Sequence, residues 1–396
     1  MLIRCYGVRG SVPTCDLRTW RYGGNTACVE VETPAGHRII LDGGTGLRRL
    51  GRTSAWGKRA GGGHAFWLLS HYHWDHIQGV PFFPPLFDPQ HHFEFFGPAP
   101  QGGGTMEAAL QGQMFQPYFP VDMSALKARR SFTEVASGQR WQMGDATVEA
   151  ISLHHPQGCL GFRIETTTGT LAYATDTEPG NPAADAGVRQ LAKDADVLFY
   201  DAQFSPERLG ERPGWGHSSW AEAVRIARDA GIRCLILFHH DPEADDVTVD
   251  QYVRTARAEW PETWAAAEGL HVSCRTPGVY VERVVPRVGP RVPGRQAVRL
   301  RGRSLEGLPI ELKGFMSNVT LKGSYLVVPE WSQLQPEIEV TLSGPNGHAP
   351  VMQGQVVRVD VDPETGQPAI GIVFSAEEQS ARPPAGPKSS RRPRSG

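Results

Sequence analysis

The chain has 396 residues, room for one large and one smaller domain, and 40% hydrophobic with 21% charged residues is an ordinary globular balance. A formal net charge of −2 gives no global basic field of the kind that grips nucleic acid or an anionic membrane. No stretch reaches the roughly 18–20 apolar residues of a membrane span, and the six cysteines form no CxxC pair, which excludes zinc-ribbon and dithiol chemistry and predicts reduced thiols in a cytosolic protein.

Met1-Leu2-Ile3-Arg4-Cys5 runs into turn chemistry without a basic segment and a long apolar core, so no secretory leader is expected. From residue 1 to about 283, short apolar runs end in Gly, His or Asp, with a few helical stretches between them. Arg9 and Arg21 lie in glycine-rich turns and suit either a phosphate contact or a turn position. Ala65-Phe66-Trp67-Leu68-Leu69 predicts a buried strand that delivers Ser70-His71-Tyr72-His73-Trp74-Asp75-His76, three imidazoles and a carboxylate of the kind that bind zinc and similar ions. Thr105 to Leu126, with its Met114–Pro120 aromatic run, reads either as a lid over a base or as an amphipathic helix and loop packed on the fold.

The strand-then-ligand pattern recurs downstream. Val148–Leu153 ends in His154-His155, Thr170–Ala174 in Thr175-Asp176, Val197–Tyr200 in Asp201, and Cys234–Phe238 in His239-His240-Asp241. Five such ends predict strands pointing at one pocket with enough ligands for two cations, one Asp bridging them. Within Gly216-His217-Ser218-Ser219-Trp220-Ala221-Glu222, Ser219 and Glu222 form a capping box that predicts a helix to Ala230, stopped at Gly231. His217 then sits just outside the helix N-terminus, pointing out of the scaffold, as a pre-cap residue or a proton donor.

Residues 284–295, with three prolines, two glycines and spaced arginines, read as a linker or extended basic arm. Residues 296–376 read as all-β, with runs at 297–300, 324–328, 338–342, 356–359 and 370–374; residues 377–396 read as a disordered basic tail. The domain reading is therefore 1–283, a linker, 296–376 and a tail.

The HxHxDH run, the later His, the Asp after Tyr173-Ala174-Thr175 and the final His resemble, in order and in type, the metal signature of the metallo-β-lactamase superfamily. Gly7-Val8-Arg9-Gly10-Ser11, Arg21–Thr26 and Leu41-Asp42-Gly43-Gly44-Thr45-Gly46 resemble its ribonuclease Z and cyclic-phosphodiesterase branch, over about residues 1–275. The resemblance implies an α/β fold, a four-layer αββα sandwich. It implies His71, His73 and His155 at one divalent metal, Asp75, His76 and His239 at a second, and Asp176 bridging; His155 follows from the His-Pro step and His239 from its place closing the strand. The metals would be zinc, with manganese or iron(II) as alternatives. It also implies that His217, paired with Asp201 where ribonuclease Z usually carries Glu, protonates the leaving oxygen, while Asp75 ligates and orients the attacking water.

Ribonuclease Z carries a long RNA-gripping arm between the third ligand and the bridging Asp. Here His155 and Asp176 are 21 positions apart, enough for a strand pair only. A small phosphodiester such as a cyclic nucleotide is therefore expected rather than transfer RNA. The alternative is carbon-ester chemistry on a lactone, thioester or β-lactam, against which the His217 and Asp201 pair argues.

Arginines recur at 283, 287, 291, 295, 299 and 303, ahead of Asn318-Val319-Thr320-Leu321-Lys322-Gly323. This pattern is similar to a PilZ domain, a small β-barrel that receives cyclic-di-GMP. The similarity implies Arg291, Arg295, Asn318, Thr320 and Gly323 around the dinucleotide, with guanidiniums forking onto phosphates and guanine edges. Cyclic-di-GMP is then an expected effector of the hydrolase; the second reading is a signalling receptor whose hydrolase is lost, against which the intact ligand set stands. No membrane partner is expected, and a homo-oligomer is compatible with the sequence.

Overall fold

Leu2–Gly7 buries every second residue, the period of a strand with one face on a core, and it lies within an eight-stranded mixed sheet in the computed structural model. The structure describes residues 1–53, 56, 62–275, 278–283, 292–303, 309–320, 323–327, 339–343, 352–361 and 368–374. They fall into two units, Met1–Val285 and Pro286–Gly396.

The first sheet of unit one takes β1 (Leu2–Gly7), β2 (Cys28–Glu32), β3 (Arg38–Leu41), β4 (His64–Leu68), β5 (His92–Gly97) and β6 (Arg129–Glu134). The chain then builds a second sheet from β7 (Arg140–Met143), β8 (Ala146–Leu153), β9 (Cys159–Thr166), β10 (Gly169–Ala174), β11 (Val197–Asp201), β12 (Cys234–Phe238) and β13 (Thr263–Ala265). It returns to the first sheet with β14 (Leu270–Arg275) and β15 (Gly278–Arg283). β3 to β6 are parallel, as are β10 to β13, so their C-terminal ends gather at one edge of each sheet.

Ile3, Val31, Leu68, Phe162, Tyr173, Phe199 and Phe238 fill the space between the sheets. Helices Pro182–Ala192, Trp220–Ala230 and Asp246–Glu259 cover the outside of the second sheet, burying Leu191, Ile226 and Val253 against Leu198 and Leu235. Helices Gly46–Leu50 and Met106–Gln111 cover the first, where Trp67 stacks on Phe95 at 4.7 Å. Four layers, αββα, result. Each of these large side chains contributes about 1.5–3 kcal/mol by leaving water, which holds the ligand-bearing strand ends on a rigid base.

For the helix after Ser219 the expectation is met with one change. Ser219 caps Trp220–Ala230 by accepting the Glu222 amide (3.3 Å), and Gly231 ends the helix at φ 65°. The Glu222 carboxylate, however, turns to Arg225 (2.8 Å) instead of reaching back to close the box. In the Thr105–Leu126 stretch a short helix buries Met106 and Leu110, Met114 is buried, and Phe115 and Tyr118 stay exposed.

In unit two, β16 (Val292–Arg303), β17 (Pro309–Thr320), β18 (Gly323–Val327), β19 (Glu339–Ser343), β20 (Met352–Val361) and β21 (Pro368–Phe374) close a barrel in the order β16-β17-β18-β21-β20-β19. β16 starts inside the 284–295 stretch. Its first residues pair only with β17 and meet β19 from Arg299 onward, an edge position where Pro293 can lack an N–H. β17 has no long apolar run and carries Gly314 at its centre, which hides it from pattern reading. Among the described residues no helix is long and apolar enough to cross a membrane.

Candidate metal centre

β4, β8, β10, β11 and β12 deliver their polar ends to one pocket. His71, His73 and His155 each bring a ring nitrogen within 4.8 Å of the others, and Asp75, His76, Asp176 and His239 do the same beside them. Asp176 serves both groups. Its Oδ2 lies 3.7 Å from Nε2 of His71 and of His155, while its Oδ1 lies 3.3 Å from His76 Nε2 and 3.2 Å from His239 Nε2. Asp75 Oδ2 stands 3.3 Å from His76 and 3.2 Å from His239 and accepts the Ser11 amide at 2.7 Å.

Backbone strain is concentrated here. Ser11, Asp42, Asp176 and His239 all take left-handed φ, between 44° and 62°, which non-glycine residues adopt only when their surroundings impose it. The turn at a strand end re-aims the side chain from the sheet face into the pocket. Two glycines make the space: a Cβ at Gly10 would stand 2.4 Å from the His239 ring, and one at Gly216 would stand 2.2 Å from His155 Nδ1.

The hydrogen bonds around the imidazoles define what the pocket needs. His76 Nδ1 donates to Asp42 (2.9 Å) and His239 Nδ1 to Gln203 Oε1 (3.0 Å), so both present an Nε2 lone pair inward, and these face each other at 3.1 Å. In the other group His155 Nδ1 donates to the Gly216 carbonyl (2.8 Å) and His73 Nε2 to Gln157 Oε1 (3.1 Å), leaving a second pair of lone pairs 3.1 Å apart. His71 Nδ1 donates to Ser70 Oγ (3.0 Å), itself a donor to Asp42, and its buried Nε2 has no hydrogen-bond partner. Opposed lone pairs repel unless a cation lies between them. Two such pairs with buried carboxylates form a donor set that fits two divalent ions of zinc type.

The electrostatics agree. Burial and the surrounding imidazoles hold His71 well below the ordinary histidine value, so it stays neutral. Burial also pulls His76 down, but Asp176, Asp75 and Asp42 lift it well above its usual value: the carboxylates demand positive charge at this point, from a proton or from a metal. Burial pushes Asp176 up, yet the imidazoles, His239 first, keep it well below the usual carboxylate range.

His217 Nδ1 lies 2.9 Å from Asp201 Oδ2, so the shorter acid reaches. Asp201 is fixed by the amides of Gln203 (3.0 Å) and Ser218 (3.2 Å). His217 does not point out of the scaffold. It is buried at 8% exposure, with its ring 5.0 Å from that of His239 and 5.3 Å from that of His155. Burial draws its pKa down, but Asp201 outweighs that and holds it up at about 9.

The adjacent histidines part company. His155 and His239 enter the pocket, whereas His154 Nδ1 donates to the Glu178 carbonyl (3.0 Å) and His240 Nε2 to the Ala266 carbonyl (2.8 Å). Arg9 is fully buried and spent on the carbonyls of Gly23, Asp241 and Ala244; Arg21 pairs with Asp250. Neither faces the pocket as a free cation. Asp42, Gln203, Gln157 and the Gly216 carbonyl were not foreseen as orienting groups; the only signal for any of them is the Asp and Gly within the turn motifs. The pocket opens beside His73, next to Trp74 at 77% exposure.

Of the residues implied for cyclic-di-GMP, Arg291 lies outside the described residues, as do the side chains of Arg295, Asn318 and Thr320. Gly323 pairs with Thr320 where β17 turns into β18, and Asn318 pairs with Pro293, next to the register shift that contains residue 295.

A profile of the beta-lactamase superfamily domain matches residues 37–240. Among curated proteins, ribonuclease Z of Thermoplasma volcanium is 39% identical over 98 residues, 25% of this chain and 30% of that protein. Ribonuclease Z of Haloferax volcanii is 26% identical over 258 residues, 52% of this chain and 75% of that protein. The match to the Thermoplasma enzyme thus spans under a third of its length. Among solved structures, the metallo-beta-lactamase fold protein YhfI of Bacillus subtilis aligns with a TM-score of 0.51 at 19% identity over 68% of this chain and 98% of that one. Zinc-bound PqqB of Methylobacterium extorquens gives 0.51 at 16% over 69% and 100%. The chain belongs to the beta-lactamase superfamily.

Proposed function

We propose that this member of the superfamily is a dinuclear metal-dependent phosphodiesterase acting on a small phosphodiester such as a cyclic nucleotide. The observation that carries this reading is the His217–Asp201 pair, set against both halves of the metal centre: a proton donor for a leaving alkoxide beside two cation positions. Kinship with ribonuclease Z supports phosphodiester chemistry. The segment from His155 to Asp176 holds only the β9–β10 strand pair, which leaves no RNA arm there and favours a small substrate.

When bound, two cations supply Lewis acidity, stabilising charge at phosphorus and activating a water near neutral pH. His71, His73 and His155 would hold one, and Asp75, His76 and His239 the other, with one Asp176 oxygen toward each. Zinc suits this nitrogen and oxygen set, with manganese and iron(II) as alternatives. Asp75, fixed by the Ser11 amide, orients the attacking water. Asp201 holds the Nδ1 proton of His217, so Nε2 presents a proton to the leaving oxygen. In a cyclic ester that oxygen stays attached, and the product is a monoester.

A panel of p-nitrophenyl phosphodiesters, cyclic nucleotides and lactones tests the class. Hydrolysis of phosphodiesters is expected, and turnover of lactones alone would sink the reading in favour of carbon-ester chemistry. The pH profile follows from His217. Its proton is present below its pKa, held near 9 by Asp201 and lowered by any bound cations, so kcat/KM falls as pH rises through that value. In Asp201→Asn the falling limb moves toward or below the ordinary histidine value; an unmoved limb would show that another group sets it.

For unit two, we infer a cyclic-di-GMP site on the PilZ pattern that regulates hydrolysis. Support comes from the six-stranded barrel and from the pairing of Asn318 with Pro293 beside residue 295. Calorimetry should show dinucleotide binding that Arg291→Ala with Arg295→Ala abolishes; unchanged affinity would remove the site.

A further inference from the structure

β4 and β5 begin side by side at the end of the first sheet opposite the metal centre, with His64 and His92 paired in parallel register. Strand period puts Glu94 on the same face as His92. His64 Nε2 lies 2.7 Å from Glu94 Oε1, the His64 and His92 rings are 5.1 Å apart, and one donor atom from each of the three lies within 4.8 Å of the others. His92 makes no side-chain hydrogen bond among the described residues. Phe66 packs edge-on against the His64 ring at 4.7 Å and limits its rotation. The His64 and Glu94 side chains are 38% and 32% exposed, so a hydrated ion can reach them. Seven residues from His64 to His71, at about 3.3 Å each, separate the trio from the metal centre by roughly 20 Å.

Two imidazoles and a carboxylate are the donor set of open zinc sites, in which water takes the fourth position. Bonds of about 2.0–2.2 Å space the donors around 3.4 Å apart, so the His64–Glu94 contact must open slightly and His92 turn inward. Arg129 is paired with His92 in register, and its charge opposes any cation here. That opposition weakens every divalent ion alike, so the donors decide the metal: magnesium and calcium prefer all-oxygen shells, which leaves ions that bond imidazole directly.

We propose that His64, His92 and Glu94 form a second, peripheral site for one zinc-class divalent ion. Zinc titration of the full chain, by equilibrium dialysis at defined free metal, tests it. The wild type is expected to bind one equivalent more than the variant carrying His64→Ala with His92→Ala, and His37→Ala, a nearby histidine outside the trio, is expected to match the wild type. Glu94→Gln keeps the shape but not the charge. Even an outer partner of a metal ligand is worth roughly 10- to 100-fold in affinity, so this ligand change should weaken the extra step by at least about tenfold. Equal stoichiometry in wild type and double variant, or unchanged affinity in Glu94→Gln, overturns the proposal. So does loss of an equivalent together with loss of phosphodiester hydrolysis, which would assign the missing ion to the main centre. Because the readout is a difference between two chains, it stands whatever reaction that centre performs.

Discussion

Asp176→Ala is expected to lower kcat for phosphodiester hydrolysis by about 10³-fold or more and to leave fewer than two metal ions per chain at the main centre. Among the described residues Asp176 alone presents an oxygen to each half of that centre, at 3.2–3.3 Å from His76 and His239 and at 3.7 Å from His71 and His155. Without it the two groups of imidazoles share no carboxylate, and two cations held there would lose the negative charge that offsets their repulsion. A metal's charge stabilisation at phosphorus is worth several kcal/mol, and each 1.36 kcal/mol is a factor of ten. Metal analysis and kinetics on the same preparation check the result, with circular dichroism to show that the fold is kept. A variant with full metal content and near-normal turnover would refute the bridging role.

His217→Ala is expected to cost about 10²–10⁴-fold on a diester with an alkyl leaving group and less than about tenfold on one with a p-nitrophenyl group. A p-nitrophenolate departs without a proton, whereas an alkoxide needs one in the transition state. A histidine that merely packs against His155 and His239 would depress both substrates alike, so the dependence on leaving group separates proton donation from support. Metal content should stay at the wild-type value. Equal losses on the two substrates would remove His217 from the proton-donor role.

The pattern of strands ending in ligands was legible because it depends on local chemistry: a core strand must be apolar, and imidazole and carboxylate are side chains that bind zinc-class ions. His71 and His73 lie in the loop after β4, and Asp75 and His76 in the short helix Trp74–Ile77 that follows, so chain proximity brings these four to one side of the centre. The helix after Ser219 was equally local, since Ser219 and Gly231 act on their own backbone neighbours. The Glu222 carboxylate departs from the capping box because an alternative partner, Arg225, competes for it one turn on.

The sequence by itself determined the residue types of the metal centre, the strands that carry them and the absence of room for an arm between His155 and Asp176. Two adjacent histidines, however, are chemically identical to a reader of sequence. The family resemblance singled out His155 and His239; the turn at each strand end, such as φ 60° at His239, is the physical reason that these two face the pocket while His154 and His240 bond backbone carbonyls. Tertiary structure likewise brought Asp42, Gln203 and the Gly216 carbonyl onto the outer nitrogens of His76, His239 and His155, across separations of 34, 36 and 61 residues. Those contacts set which nitrogen carries the proton, and so turn a group of histidines into lone pairs that converge on a cation.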